Sequence, residues 1–228
     1  MREGYDHSPV NPLPWAVWVL ALPIIAFEAV FALGQAGLAG GPEAVGWRMD
    51  ALQRFAFAPG ILRAMIAAGD YPQSHVTRIL TYPFVHGSFT QALFVLVFLL
   101  ALGKMVGEIF RPLAVIVLFL ASAVGGALIY TALGVSDRPI YGGYPAVYGL
   151  IGAYTWLLWM RAAGVGESRL RAFQLIGFLL GLQLVFGLLF GGSWDWVAEL
   201  SGFGVGFLLS FLLGPGGWSR ALDRMRRR

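Results

Sequence analysis

The sequence predicts an all-α polytopic membrane protein, a bundle of six transmembrane helices with a long first loop. Two observations carry that reading. Hydrophobic residues make up 58% of the 228 and charged residues 12%, with a mean hydropathy of +0.72; a soluble domain holds roughly 45–50% apolar and about 25% charged residues. Crossing the hydrocarbon core takes about 20 mostly apolar residues, and six such stretches occur, approximately at 14–34, 89–106, 113–133, 145–162, 171–190 and 195–214. They fill most of the chain and leave no room for a separate soluble domain. The organisation expected is a short cytoplasmic segment over 1–13, a membrane domain over 14–214 and a basic cytoplasmic tail over 215–228.

Residues 1–13 are polar and interrupted by proline, the composition of a disordered terminus. Trp15 and Trp18 open the first helix as interfacial anchors. The stretch they open is too long for the core of a signal peptide and lacks a small-residue cleavage site, so it reads as a retained span. Pro23 is a kink position within it, and Glu28 has to face protein or water rather than lipid; its protonation state is open at this point. The loop over 35–88 is too long for a simple connector. Its apolar clusters, Phe55-Ala56-Phe57, Ile61-Leu62 and Met65-Ile66, alternate with Arg and Asp and predict short amphipathic helices at the interface. Pro83 predicts an extended lead-in to the second helix. The connections after Leu133 and Phe190 read as short, with Gly191-Gly192 making the second a tight turn. Ala146, Gly149, Gly152 and Ala153 on the fourth helix, and Ser201, Gly202, Gly204 and Gly206 on the sixth, allow close backbone approach. These two helices are therefore expected to be neighbours.

The formal charge of +4 follows membrane topology, not nucleic-acid binding. Arg220, Arg224, Arg226, Arg227 and Arg228 cluster in the tail, Arg161, Arg169 and Arg171 flank the fourth connection, and Lys104 and Arg111 the second. Cytoplasmic flanks collect such residues, and an even helix count then puts both termini in the cytoplasm, as in a bacterial inner membrane. Arg48, Arg54, Arg63 and Arg78 fall on the other side, in a loop near the length of about 60 residues where the orientation rule loses force. The Arg-rich tail suits contact with anionic lipid. The absence of cysteine excludes disulfides and thiolate metal sites, and His7, His75 and His86 lie far apart; no metal and no cofactor are expected.

Specific motifs narrow the class. Gly142-Gly143-Tyr144-Pro145-Ala146-Val147-Tyr148-Gly149 resembles the Gly-x-Ser-Gly-x-x-x-Gly nucleophile motif of rhomboid intramembrane proteases, with Tyr144 at the serine and Pro145 at the following glycine. Ala198-Glu199-Leu200-Ser201-Gly202 resembles the family's Ala-His-x-x-Gly, with Glu199 at the histidine. Arg78 stands eight residues before His86, as in the family's Trp-Arg loop motif, with Thr77 at the tryptophan. Phe84-Val85-His86-Gly87-Ser88-Phe89 is similar to its Phe-x-His-x-x-Phe. The oxyanion-holding His and Asn correspond to Gln91 and Val95; Gly103 follows as expected, and Glu108 lies one residue beyond the family's acidic position. The resemblance runs from about Arg78 to Gly214, in the family's order.

Hydrolysis by that design needs a nucleophile, a base within hydrogen-bond reach and donors for the oxyanion. Gln91 retains a donor and Val95 has none. A phenol near pKa 10 beside a carboxylate near 4 is not an activated nucleophile. The resemblance thus implies the six-helix rhomboid framework, marked by Arg78, His86, Gly142, Gly149, Ala198 and Gly202, without its catalytic dyad. By analogy with inactive relatives, the partners would be transmembrane helices of other membrane proteins, met by Gln91, Tyr144, Tyr148 and Glu199. Glu199 has two readings, a satisfied contact with Tyr148 or Tyr144 between helices four and six, or a proton-sensitive or ligand-binding group. His86 reads as a loop anchor or, less simply, a catalyst. An active endopeptidase using another serine (Ser88, Ser122, Ser193 or Ser201) and a transport path through Glu28 and Glu199 are the alternatives, the latter without the repeat architecture of transporters.

Overall fold

The computed structural model describes residues 12–165, 168–190 and 193–215. The expectations for the polar N-terminal segment, for the arginines of the tail and for the Gly191-Gly192 turn fall on residues outside these. Ten α-helices follow in order among the described residues: α1 (Trp15–Gln35), α2 (Trp47–Phe55), α3 (Pro59–Ala68), α4 (Gln73–Val76), α5 (Arg78–Thr81), α6 (Phe89–Gly107), α7 (Pro112–Leu133), α8 (Tyr144–Val165), α9 (Gln174–Phe190) and α10 (Asp195–Leu213). Short 3₁₀ turns at Gly41–Gly46, Tyr82–Phe84 and Arg169–Phe173 join some of them.

Helix α8 is the centre. It packs against α10, α7 and α6, while α1 lies against α6 and α7. The core between them mixes aliphatic and aromatic side chains, with Leu99, Leu118, Leu150 and Ile151 buried beside Phe119 and Tyr130. Small residues set the approach of α8 and α10, as expected. A Cβ on Gly202 would collide with the Pro145 carbonyl, one on Gly206 with the Gly149 backbone, and one on Gly152 with the Phe203 carbonyl. Dispersion contacts at such short range hold helices together where no water is expelled.

The expectations of six spans and of an extended lead-in to α6 are met in part. Of the six stretches expected to cross a membrane, four coincide with described helices long and apolar enough to do so, α1, α6, α7 and α10. Helix α8 has 22 residues but carries Tyr148, Tyr154 and Thr155 on a helix enclosed by protein, where lipid solubility is not required. Helix α9 is shortened to 17 residues because its first turn is the 3₁₀ segment Arg169–Phe173. The lead-in to α6 is also not extended throughout. Arg78–Thr81 is helical and Tyr82–Phe84 is a 3₁₀ turn, held by the Tyr82 hydroxyl, which donates to the Ala123 carbonyl at 2.7 Å. Extended backbone appears only from Val85 (φ −113°, ψ 130°) to Ser88 (φ −149°, ψ 157°). Pro83 needs no N–H at the start of such a turn, so tertiary anchoring overrides its preference for an extended neighbour.

Candidate functional site

The site is built where the segment before α8 crosses the first loop. Ile140 and Phe57 exchange two backbone hydrogen bonds, at 2.8 and 2.9 Å, and the Gly142 N–H donates to the Tyr82 carbonyl at 2.9 Å. Gly142 has φ +89°, a conformation open to glycine without a Cβ clash; a Cβ here would meet Gln91 Nε2 at 2.7 Å. The Gly143 N–H donates to His86 Nε2 at 3.2 Å. Beneath Gly143 lies the Val95 side chain, fully buried. Gln91 turns its amide back, with Oε1 accepting from the Gly87 N–H at 2.9 Å, while Ser88 caps α6 by accepting from the Gln91 N–H.

His86 is therefore an anchor for the start of α8. An imidazole that accepts at Nε2 is neutral, with its proton on Nδ1. Burial pushes its pKa down from 6.5 to about 4; the nearby Glu28 charge opposes this and Arg48 adds to it. Nδ1 itself completes no hydrogen bond.

Behind His86 stands a group of charges the sequence did not connect. Arg48 on α2 donates to both carboxylate oxygens of Glu28 on α1, each at 2.8 Å, and to the His86 carbonyl at 2.9 Å. Its guanidinium also lies 4.6 Å from the Phe31 ring centroid. Glu28 is 6% exposed, so the expected bundle-facing position is observed, and Arg48 meets it fork to fork. A carboxylate so engaged ties α1 to α2.

The second half of the site lies one turn further along α8. Glu199 on α10 is 7% exposed and accepts from the Gln183 Nε2 of α9. The Tyr148 phenol faces the same carboxyl group, and Tyr144 lies within its electrostatic reach. Tyr144, Tyr148 and Glu199 are thus brought together, with Gln183 as a partner that went unforeseen; a lone amide within the apolar run of α9 was its signal. Gln91 belongs to the His86 half. Arg78 belongs to neither: on α5, with Nε lacking a partner, it lines a small cavity with His75. Gly149 abuts Ser122 of α7, and Ala198 is buried against Gly126.

The serines named as alternative nucleophiles differ in their surroundings. Ser88 is a helix cap, exposed Ser193 donates to Asp195 at 2.9 Å, and Ser122 is buried without a hydrogen-bond partner. No group of three or more metal-ligating side chains occurs among the described residues either.

The family model described as Rhomboid domain matches residues 73–216, more than half of the chain and everything from α4 to α10. Among curated proteins, none matches.

Proposed function

The chain belongs to the rhomboid family, and from that premise we propose that it is a catalytically inactive member that binds transmembrane helices of other membrane proteins instead of cleaving them. The observation that carries the proposal is the pairing at the two positions matching the family's dyad. Tyr144 replaces the nucleophile, and the carboxyl group of Glu199, at the base, is already engaged by Gln183 and faces Tyr148. Acyl transfer requires a nucleophile in hydrogen-bond contact with a free base; this arrangement offers a satisfied contact between three helices.

In this reading α8 and α9 complete six spans, α8 enclosed by its neighbours and α9 at the periphery, with both termini in the cytoplasm of a bacterium. Client binding is supported by the lightly packed side of the bundle. Helix α9 touches α8 and the preceding 3₁₀ turn and presents Phe178, Leu182 and Val185 outward. A partner helix that displaces α9 from the bundle would find Tyr144, Tyr148 and Glu199 as its polar contacts, with Gln91 on α6 as a further one.

The test is to incubate the purified protein in liposomes with a panel of transmembrane substrates and a fluorophosphonate on the same sample. No cleavage and no label, with photo-crosslinkers at Gln91, Tyr144 and Tyr148 capturing membrane-protein helices, is the expected result. Cleavage abolished by substituting one serine would refute the reading in favour of an active endopeptidase.

A further inference from the structure

An apolar groove runs between the C-terminal half of α1 and the amphipathic helix α2. Its volume is about 430 Å³, and its walls are Pro23, Phe27, Val30 and Phe31 of α1 with Ala51 and Phe55 of α2. At the rim stand Asp50 and Arg54, both exposed. Among the described residues neither has an ion-pair partner; Arg54 instead lies over the Phe55 ring, 5.7 Å from its centroid. The neighbouring cation, Arg48, is fully committed to Glu28 and His86.

We propose that this groove holds one bilayer phospholipid with an amine-bearing headgroup, its acyl chain between Phe27, Val30 and Phe55, its phosphate on Arg54 and its ammonium on Asp50. Three features carry the assignment. The groove includes Ala26 and Val30, exposed apolar residues of a helix long enough to span, so the medium it meets is acyl chain. At a rise of 1.5 Å per residue, Phe27 to Phe31 lie about 6–12 Å from the end of α1 at Gln35, the depth to which an interfacial helix such as α2 sinks. Asp50 and Arg54 are four residues apart, on one helix face, and present a negative and a positive group side by side. A headgroup with one phosphate and one ammonium matches that pair in both signs, whereas a purely anionic headgroup would meet the unmatched Asp50.

The experiment uses the full-length protein in vesicles of phosphatidylethanolamine and phosphatidylglycerol, with a trace of phosphatidylethanolamine carrying a photoactivatable acyl chain, and the crosslinks are mapped by mass spectrometry. The expected result is labelling of Phe27, Val30 and Phe55 about tenfold above the bilayer-facing Leu22 and Leu93, competed by unlabelled phosphatidylethanolamine and not by phosphatidylglycerol. Ala51→Trp, which fills the groove, abolishes the excess. The exposed pair Asp50→Asn and Arg54→Gln reduces it with the fold intact, which separates loss of the site from loss of structure. Even labelling over all lipid-facing residues, equal competition by phosphatidylglycerol, or crosslinking of the groove to a second protein chain would each overturn the proposal.

Discussion

His86 links pH to stability through a neutral ring. In the unfolded chain an imidazole takes up a proton near pH 6.5; in the fold, burial holds the pKa at about 4. Between these values the unfolded state binds more protons, so the stabilisation is complete above about pH 6.5 and is lost as the pH falls toward 4. His86→Gln places an amide oxygen where Nε2 accepts from Gly143 and removes the titration. We expect the thermal midpoint of the wild type in detergent to fall more steeply than that of this variant between pH 7 and 4.5; parallel profiles would assign the acid sensitivity elsewhere. Gly142 can be argued at the same scale. Its φ of +89° and the proximity of Gln91 Nε2 make Gly142→Ala destabilising by about 1–3 kcal/mol, read from denaturing-detergent titration. Gly142 was legible as part of a glycine motif, and so was His86 as an anchor. Arg48 was not: no helical periodicity relates it to Glu28, and only the return of the first loop onto α1 brings their charges together.

At the scale of elements, ion pairs and glycines do different work. The Glu28–Arg48 pair pins α2 to α1, and breaking a buried pair by removing one partner costs about 3–5 kcal/mol because the other charge is stranded. Arg48→Ala is therefore expected to destabilise strongly, while the double change Glu28→Leu with Arg48→Met recovers most of the loss; a double variant as weak as the single would mean that the bond to the His86 carbonyl dominates. Between α8 and α10 the determinant is volume. Gly206 faces the Gly149 backbone, whereas a Cβ on Gly204 meets nothing within 4 Å. Gly206→Val should cost at least the roughly 1–3 kcal/mol of overpacking, and Gly204→Ala close to nothing, measured by the same titration. This contact was readable beforehand because small residues recur on both helices. The turn at Tyr82–Phe84 was not, since its anchor, Ala123, lies on a helix forty-one residues away.

For the whole molecule, the number of crossings decides what the site faces, and composition alone does not fix it. Apolarity measures exposure to lipid, so a helix enclosed by others can carry buried polar groups whether or not it crosses, as α8 does with Tyr148 and Thr155. The chain contains no cysteine, so single substitutions at exposed or half-buried loop positions report sidedness without a background. Ser136 lies before α8, Ser168 between α8 and α9, and Ser193 after α9. If both helices cross, Ser168→Cys stands on the side opposite Ser136→Cys and Ser193→Cys; an impermeant maleimide added to intact cells then labels the last two and reaches Ser168→Cys only after permeabilisation. If α8 and α9 merely rest on one face, all three positions react alike. Six crossings would place Tyr144, at the start of α8, and Glu199, near the start of α10, in the same outer half of the bilayer, alongside the polar end of any helix that enters from the side. Uniform labelling would put the pair at a membrane surface instead, where a buried contact between Glu199 and Gln183 could not serve a transmembrane client, and the binding role would fall with it.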